Sequence, residues 1–215
     1  MKKIFCLVLT MTLVIGLSGF VFSSSYEAIR VDDGLRLGAE WPLEDDNVIT
    51  LDKTDIGDPT HADLWMFWCD DNIYLEFHVN SDWGLRSQYP DVNPWLANSI
   101  EVALAIEASD PRTKWFFKKS DSLGFVAWLD GSRIDRGEGI DFYMFPTDFG
   151  FKAQIILDTT YEENTRFNPL ENDEQLLGLQ INLSEEGDSR DNMIFDVARG
   201  AVNRPSDYTT LKFVD

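Results

Sequence analysis

The chain has 215 residues, room for one domain or at most two, with 18 basic against 38 acidic side chains. A formal charge of −20 argues against nucleic acid and anionic lipid as partners and leaves neutral glycans and cations open.

Residues 1–23 have the form of a secretory signal. Lys2 and Lys3 precede an apolar run from Ile4 to Phe22, and small residues follow at Ser23–Ser25. The expectation is an exported protein whose mature domain spans 24–215, free of the membrane after cleavage. Removing the leader takes two lysines and no acids, leaving 16 basic against 38 acidic residues, a balance of −22. Cys69 is then the only cysteine, so no intramolecular disulfide can form and stability must come from a core or a bound metal.

Along the mature chain, pattern after pattern has period 2. Asp63–Cys69 is a dense apolar run suited to a strand buried on both faces. Asp70-Asp71-Asn72 is turn chemistry, and Ile73, Leu75, Phe77 and Val79 then alternate with Tyr74, Glu76, His78 and Asn80, which completes a hairpin. From Ile100 to Ile106 the alternation is strict, with Glu101, Ala103 and Ala105 on the second face. Asp110-Pro111 with Lys114, Lys118 and Lys119 reads as a surface excursion, and Gly131–Gly139 as a loop. Strands are expected at Phe125–Leu129, Ile140–Phe145, Phe149–Leu157, Leu176–Leu183, Met193–Val197 and Tyr208–Val214, with an irregular crossing over Asp158–Glu174. Nothing sustains a helix of three turns. Many short strands at regular spacing predict an all-β, two-sheet antiparallel β-sandwich, jelly-roll-like and single-domain.

The stretch Asn93–Glu101 carries the clearest functional signal. Asn93-Pro94 sends Trp95 into a loop beside the strand that bears Glu101. A flat ring meets the C–H face of a pyranose, and a nearby carboxylate accepts hydrogen bonds from paired hydroxyls. The two alanines after Glu101 predict a shallow open trough next to it.

These segments resemble a family 9 carbohydrate-binding module, in order and over most of the mature chain. Val31-Asp32-Asp33-Gly34 with Glu40-Trp41 is similar to the family's opening "I-D-G … E-x-W". Leu64–Leu75 resembles its "L-W-D-x-x-x-L-Y" hairpin, and Asn93–Glu101 its "N-P-W-x-x-D-S-V-E". Leu177–Asn182 and Pro205-Ser206-Asp207-Tyr208 with Leu211 resemble its later motifs. The resemblance implies a β-sandwich that holds sugar ends between two aromatic rings, with calcium bracing the loops. Carried over, the rings fall on Trp95 and Phe195, the acid on Glu101, and the aspartate of "W-x-x-D" on Asn98. Gln180 or Asn182 contributes if its face of the strand reaches the cleft. The family's binding arginine falls near Phe125, so that charge has no counterpart at the matching position.

Calcium requires six to eight oxygens from loop carboxylates and carbonyls. Two loops could supply them, Asp32, Asp33 and Glu40 near the start and Glu185, Glu186, Asp188 and Asp191 near the end, and the family's use of the ion favours the first. His61 and His78 lack metal-ligand spacing. Glu101 and Glu107, six apart on one strand, lie roughly 20 Å apart, too far for a glycosidase pair. The function expected is therefore an exported, non-catalytic protein that binds xylan- or glucan-type oligo- or polysaccharide, alongside a glycoside hydrolase. Two alternatives stay open: an envelope or extracellular interaction protein that kept the fold without sugar binding, and a haem-binding electron-transfer subunit using Met or His ligands.

Overall fold

The computed structural model describes residues 25–32, 34–54, 61–80, 99–120, 124–129, 132–134, 138–183, 192–195 and 200–215. Among them are fourteen strands and no α-helix, and no helix long and apolar enough to cross a membrane. In chain order the strands are β1 (Ser25–Arg30), β2 (Ile49–Leu51), β3 (Lys53–Thr54), β4 (His61–Cys69), β5 (Asn72–Asn80), β6 (Ser99–Ala105) and β7 (Thr113–Ser120). There follow β8 (Gly124–Leu129), β9 (Ser132–Ile134), β10 (Ile140–Thr147), β11 (Gly150–Asp158), β12 (Glu174–Leu183), β13 (Asn192–Phe195) and β14 (Thr209–Val214).

The all-β expectation holds, but the two-sheet antiparallel sandwich is corrected. All the strands join one continuous sheet, whose main path runs β10-β11-β5-β4-β1-β14-β12-β6-β7-β8-β9. It is mixed, because β1 lies parallel to both of its neighbours, β4 and β14. That central strand stitches together two runs that would otherwise form separate sheets. Long-range parallel pairing of this kind leaves no mark on local periodicity, so alternation alone cannot predict it.

The sheet curls over its own apolar face. Ile73, Leu75, Phe77 and Val79 from β5 share one core with Ile100, Val102 and Leu104 from β6. Phe117 on β7 meets Phe142 on β10 at 5.2 Å between ring centroids, which brings distant parts of the path together. The inward residues of both halves line a common small internal void that includes Leu75 and Val102. Strand alternation therefore aims Glu76 and Glu101 away from the core, on opposite outer faces.

β4 is buried on both sides, as its apolar run predicts. Its outer side is covered by residues 34–48, which bring Trp41 into one cluster with Trp65, Phe67 and Tyr74. Three buried indole N–H groups donate to carbonyls: Trp41 to Arg36 at 3.0 Å, Trp65 to Glu44 at 3.0 Å and Trp68 to Val214 at 2.9 Å. Burial without these partners would cost about 1–3 kcal/mol each. Two local expectations are also corrected. Lys114, Lys118 and Lys119 belong to β7 rather than to a surface excursion, and β9 interrupts the expected loop Gly131–Gly139.

Candidate functional site

The outer face of β6 carries a closed polar cluster rather than an open trough. Glu101 is only 3 % exposed, and Ala103 and Ala105 are wholly buried. The space over the alanines is filled from β12 and the segment after it. Gly178 stands opposite Ala103, and the Tyr208 ring lies directly over Gly178. Tyr208 in turn donates its hydroxyl to Val202 O at 2.7 Å, holding the 3-10 turn Ala201–Asn203 against the sheet.

Register explains which groups meet Glu101. Gln180 stands directly across from it on β12, and Asn182 pairs with Ser99 two residues along the same face. Asn182 Nδ2 donates to Glu101 Oε1 at 2.7 Å and to Ser99 Oγ at 3.0 Å. Gln180 Nε2 donates to Glu101 Oε1 at 3.3 Å and to Asn182 Oδ1 at 3.0 Å. The backbone N–H of Gly200 donates to Gln180 Oε1 at 3.0 Å, and Gly200 has φ of 74°, a conformation that suits glycine.

The cation comes from Lys114. Its Nζ lies 3.2 Å from Glu101 Oε2 and 2.7 Å from Asn203 Oδ1, on a side chain that is itself buried. The cation beside Glu101 thus comes from β7, the strand paired with β6. Alternation was the signal: Lys114 precedes Trp115 and Phe117, whose side chains go to the core.

Chemically the cluster is a carboxylate fixed by two amides and an ammonium. An ionised carboxylate has roughly four acceptor sites. Three are used among the described residues, which leaves one on Oε2 for a hydroxyl donor. The acid faces a cation and two amides, which fix its orientation on the outer face of β6.

Of the expected site residues, Glu101, Gln180 and Asn182 are brought together. Phe195 lies on β13 with its backbone in register with Gln180, in the same cross-strand row as Glu101. Trp95 and Asn98 lie outside the described residues, as do Asp33 and the later loop acids Glu185, Glu186, Asp188 and Asp191. Asp32 and Glu40 are not brought together: Asp32 borders a cleft with Asp70 and Asp71, whereas Glu40 borders another with Glu76. Among the described residues no three acidic, histidine or cysteine side chains are grouped to hold a metal.

Solved structures of known proteins were compared with this geometry. A family 9 carbohydrate-binding module from Caldicellulosiruptor kristjanssonii, in complex with glucose, superposes with a TM-score of 0.61, covering 87% of this chain and 95% of its own. The fold is that of a family 9 carbohydrate-binding module. The cellotriose complex of a Caldicellulosiruptor kristjanssonii family 9 module gives the same TM-score, covering 88% of this chain and 93% of that one. Sequence identity is 15% in both comparisons, so the likeness is one of fold. A Bacteroides uniformis protein assigned to carbohydrate binding matches with a TM-score of 0.54 at 10% identity, over 88% of this chain and 99% of its own. No protein-family model and no curated protein matches the sequence.

Proposed function

We propose that this chain is an exported, non-catalytic carbohydrate-binding protein that takes a neutral glucan- or xylan-type saccharide at the Glu101 cluster. The observation that carries this reading is a buried carboxylate held by Lys114, Gln180 and Asn182 on a family 9 module fold. Trp95 and Phe195 supply the ring faces, and Glu101 Oε2 accepts a sugar hydroxyl beside the Lys114 ammonium. Glucose and cellotriose are the sugars bound by the similar structures, which favours β-glucan oligosaccharides as first ligands to try. A secreted glycoside hydrolase would act on the polysaccharide so held.

Calorimetric titration with glucose, cellotriose and xylotriose tests the reading. Saturable binding is expected, and Trp95→Ala should abolish it without lowering the melting temperature. Unchanged affinity in that variant would move the site elsewhere. Repeating the titration with calcium and then with chelator tests the expected ion separately. Leader removal is checked by the mass of the protein recovered outside the cytoplasm, expected to begin near Ser24.

A second reading has one specific support. The cluster is closed by its own hydrogen bonds, as in a protein that kept the fold for interaction rather than sugar binding. Silence across the sugar panel from folded protein would favour it.

A further inference from the structure

The opposite outer face of the sheet holds a second polar row of the same make. Across β4, β5, β11 and β10 the register aligns Trp65, Glu76, Gln154 and Tyr143. Across β7, β6, β12 and β13 it aligns Phe116, Glu101, Gln180 and Phe195. Both rows read aromatic, glutamate, glutamine, aromatic, and each has a lysine on a neighbouring position, Lys152 here and Lys114 there.

The Glu76 row opens into a cleft of about 600 Å³, within the range of small-ligand sites. Its floor is polar and buried, with Glu76 4 % and Gln154 3 % exposed. Gln154 Nε2 donates to Glu76 Oε2 at 2.9 Å and to Ala39 O at 2.9 Å, while Gly38 N donates to Gln154 Oε1 at 2.7 Å. His78 Nε2 lies 2.7 Å from Glu76 Oε1, within hydrogen-bond distance. These contacts take about half of the acceptor sites of Glu76 and fix its orientation. One wall is aromatic: Tyr143, 39 % exposed, lies beside Phe145 with ring centroids 5.4 Å apart and planes tilted by 33°. Lys152 borders the same cleft, and among the described residues its ammonium has no hydrogen-bond or ion-pair partner.

We propose that this cleft is a second saccharide site, taking one neutral pyranose unit, so that the chain binds carbohydrate on two opposite faces. The Tyr143–Phe145 wall offers ring area to a sugar's C–H face. Glu76 accepts from paired hydroxyls, and Lys152 donates to a hydroxyl or ring oxygen. The strongly acidic chain disfavours an anionic occupant despite Lys152. Nothing in this cleft depends on the Glu101 cluster, which lies across the core.

The test is calorimetry with glucose, cellotriose, xylotriose and maltotriose on the full chain and on Trp95→Ala, Tyr143→Ala, Lys152→Met and the Trp95→Ala/Tyr143→Ala pair. At least one sugar is expected to bind twice per chain and once in Trp95→Ala. Tyr143→Ala and Lys152→Met should each weaken that remaining event about tenfold or more, and the pair should bind nothing. Tyr143 is on the surface, so unchanged melting temperatures are expected and separate lost binding from lost fold. Binding lost in Tyr143→Ala but kept in Trp95→Ala would uphold this site and overturn the Glu101 reading. A single event insensitive to Tyr143 and Lys152, or no binding to any of the four sugars, overturns the second site.

Discussion

Lys114→Met is expected to destabilise the protein by about 3–5 kcal/mol, the usual cost of stranding one partner of a buried ion pair. Glu101 would keep its two amide donors but lose the only cation within reach among the described residues, at 3 % exposure. Set against a typical stability of about 5–15 kcal/mol, that is a large fraction. It corresponds to a fall in melting temperature of about 10 °C for a domain of this size. Asn203 loses its partner as well, so the turn Ala201–Asn203 loosens over the sheet. Adding Glu101→Gln removes the stranded charge, and the double variant should recover more than half of the loss, because uncharged replacements of a buried pair are often near neutral. Melting curves of the four proteins decide it. Purely additive losses would mean that Lys114 stabilises through its methylenes rather than through Glu101. The double variant, which lacks the Glu101 carboxylate, should fail to bind cellotriose if Glu101 is the sugar's acceptor, which separates recovered fold from recovered function.

Much of the sheet was legible because its main strands are long. β5, β6 and β12 alternate over seven or more residues and β4 carries a continuous apolar run, and the spans of these strands and of β10 and β11 agree with the structure to within a few positions. What lay hidden was joined at long range or was short. β2 and β3 have three and two residues, too few to establish a period, and β1 takes its place only through partners far along the chain. Glu101 stood out as an acid on an otherwise apolar strand. Its partners did not, since Gln180 and Asn182 lie about eighty residues away and reach it only by register. Lys114 was masked by Asp110-Pro111 before it and by Lys118 and Lys119 after it, which together resemble a loop. Glu76 stood on the polar face of its strand, and its partner Gln154, 78 residues away, reaches it only by register, under cover of residues 34–48.

Gly178→Ala tests whether the lid over β6 is as tightly seated as the geometry implies. In an ordinary strand this change removes a flexible residue and would stabilise by about 0.5–1 kcal/mol. Here the new methyl would lie 2.5 Å from Cε1, 2.7 Å from Cδ1 and 2.8 Å from Cζ of Tyr208. The ring cannot simply swing aside, because its hydroxyl is tied to Val202 O and its backbone enters β14 directly. Overpacking of this kind costs about 1–3 kcal/mol, so a net loss of about 1 kcal/mol is expected once the propensity gain is subtracted, opposite in sign to the propensity effect alone. The strain has a path to the site. Moving Tyr208 moves the turn Ala201–Asn203, and Asn203 is one of the groups that hold Lys114 against Glu101. Weaker cellotriose binding should therefore accompany the lost stability. In a Tyr208→Ala background the clash disappears, and the same Gly178→Ala change should become neutral or stabilising. That reversal of sign, read from chemical denaturation of the four proteins, is what a fixed ring demands; a loss that persists without the ring would place the strain in the strand itself.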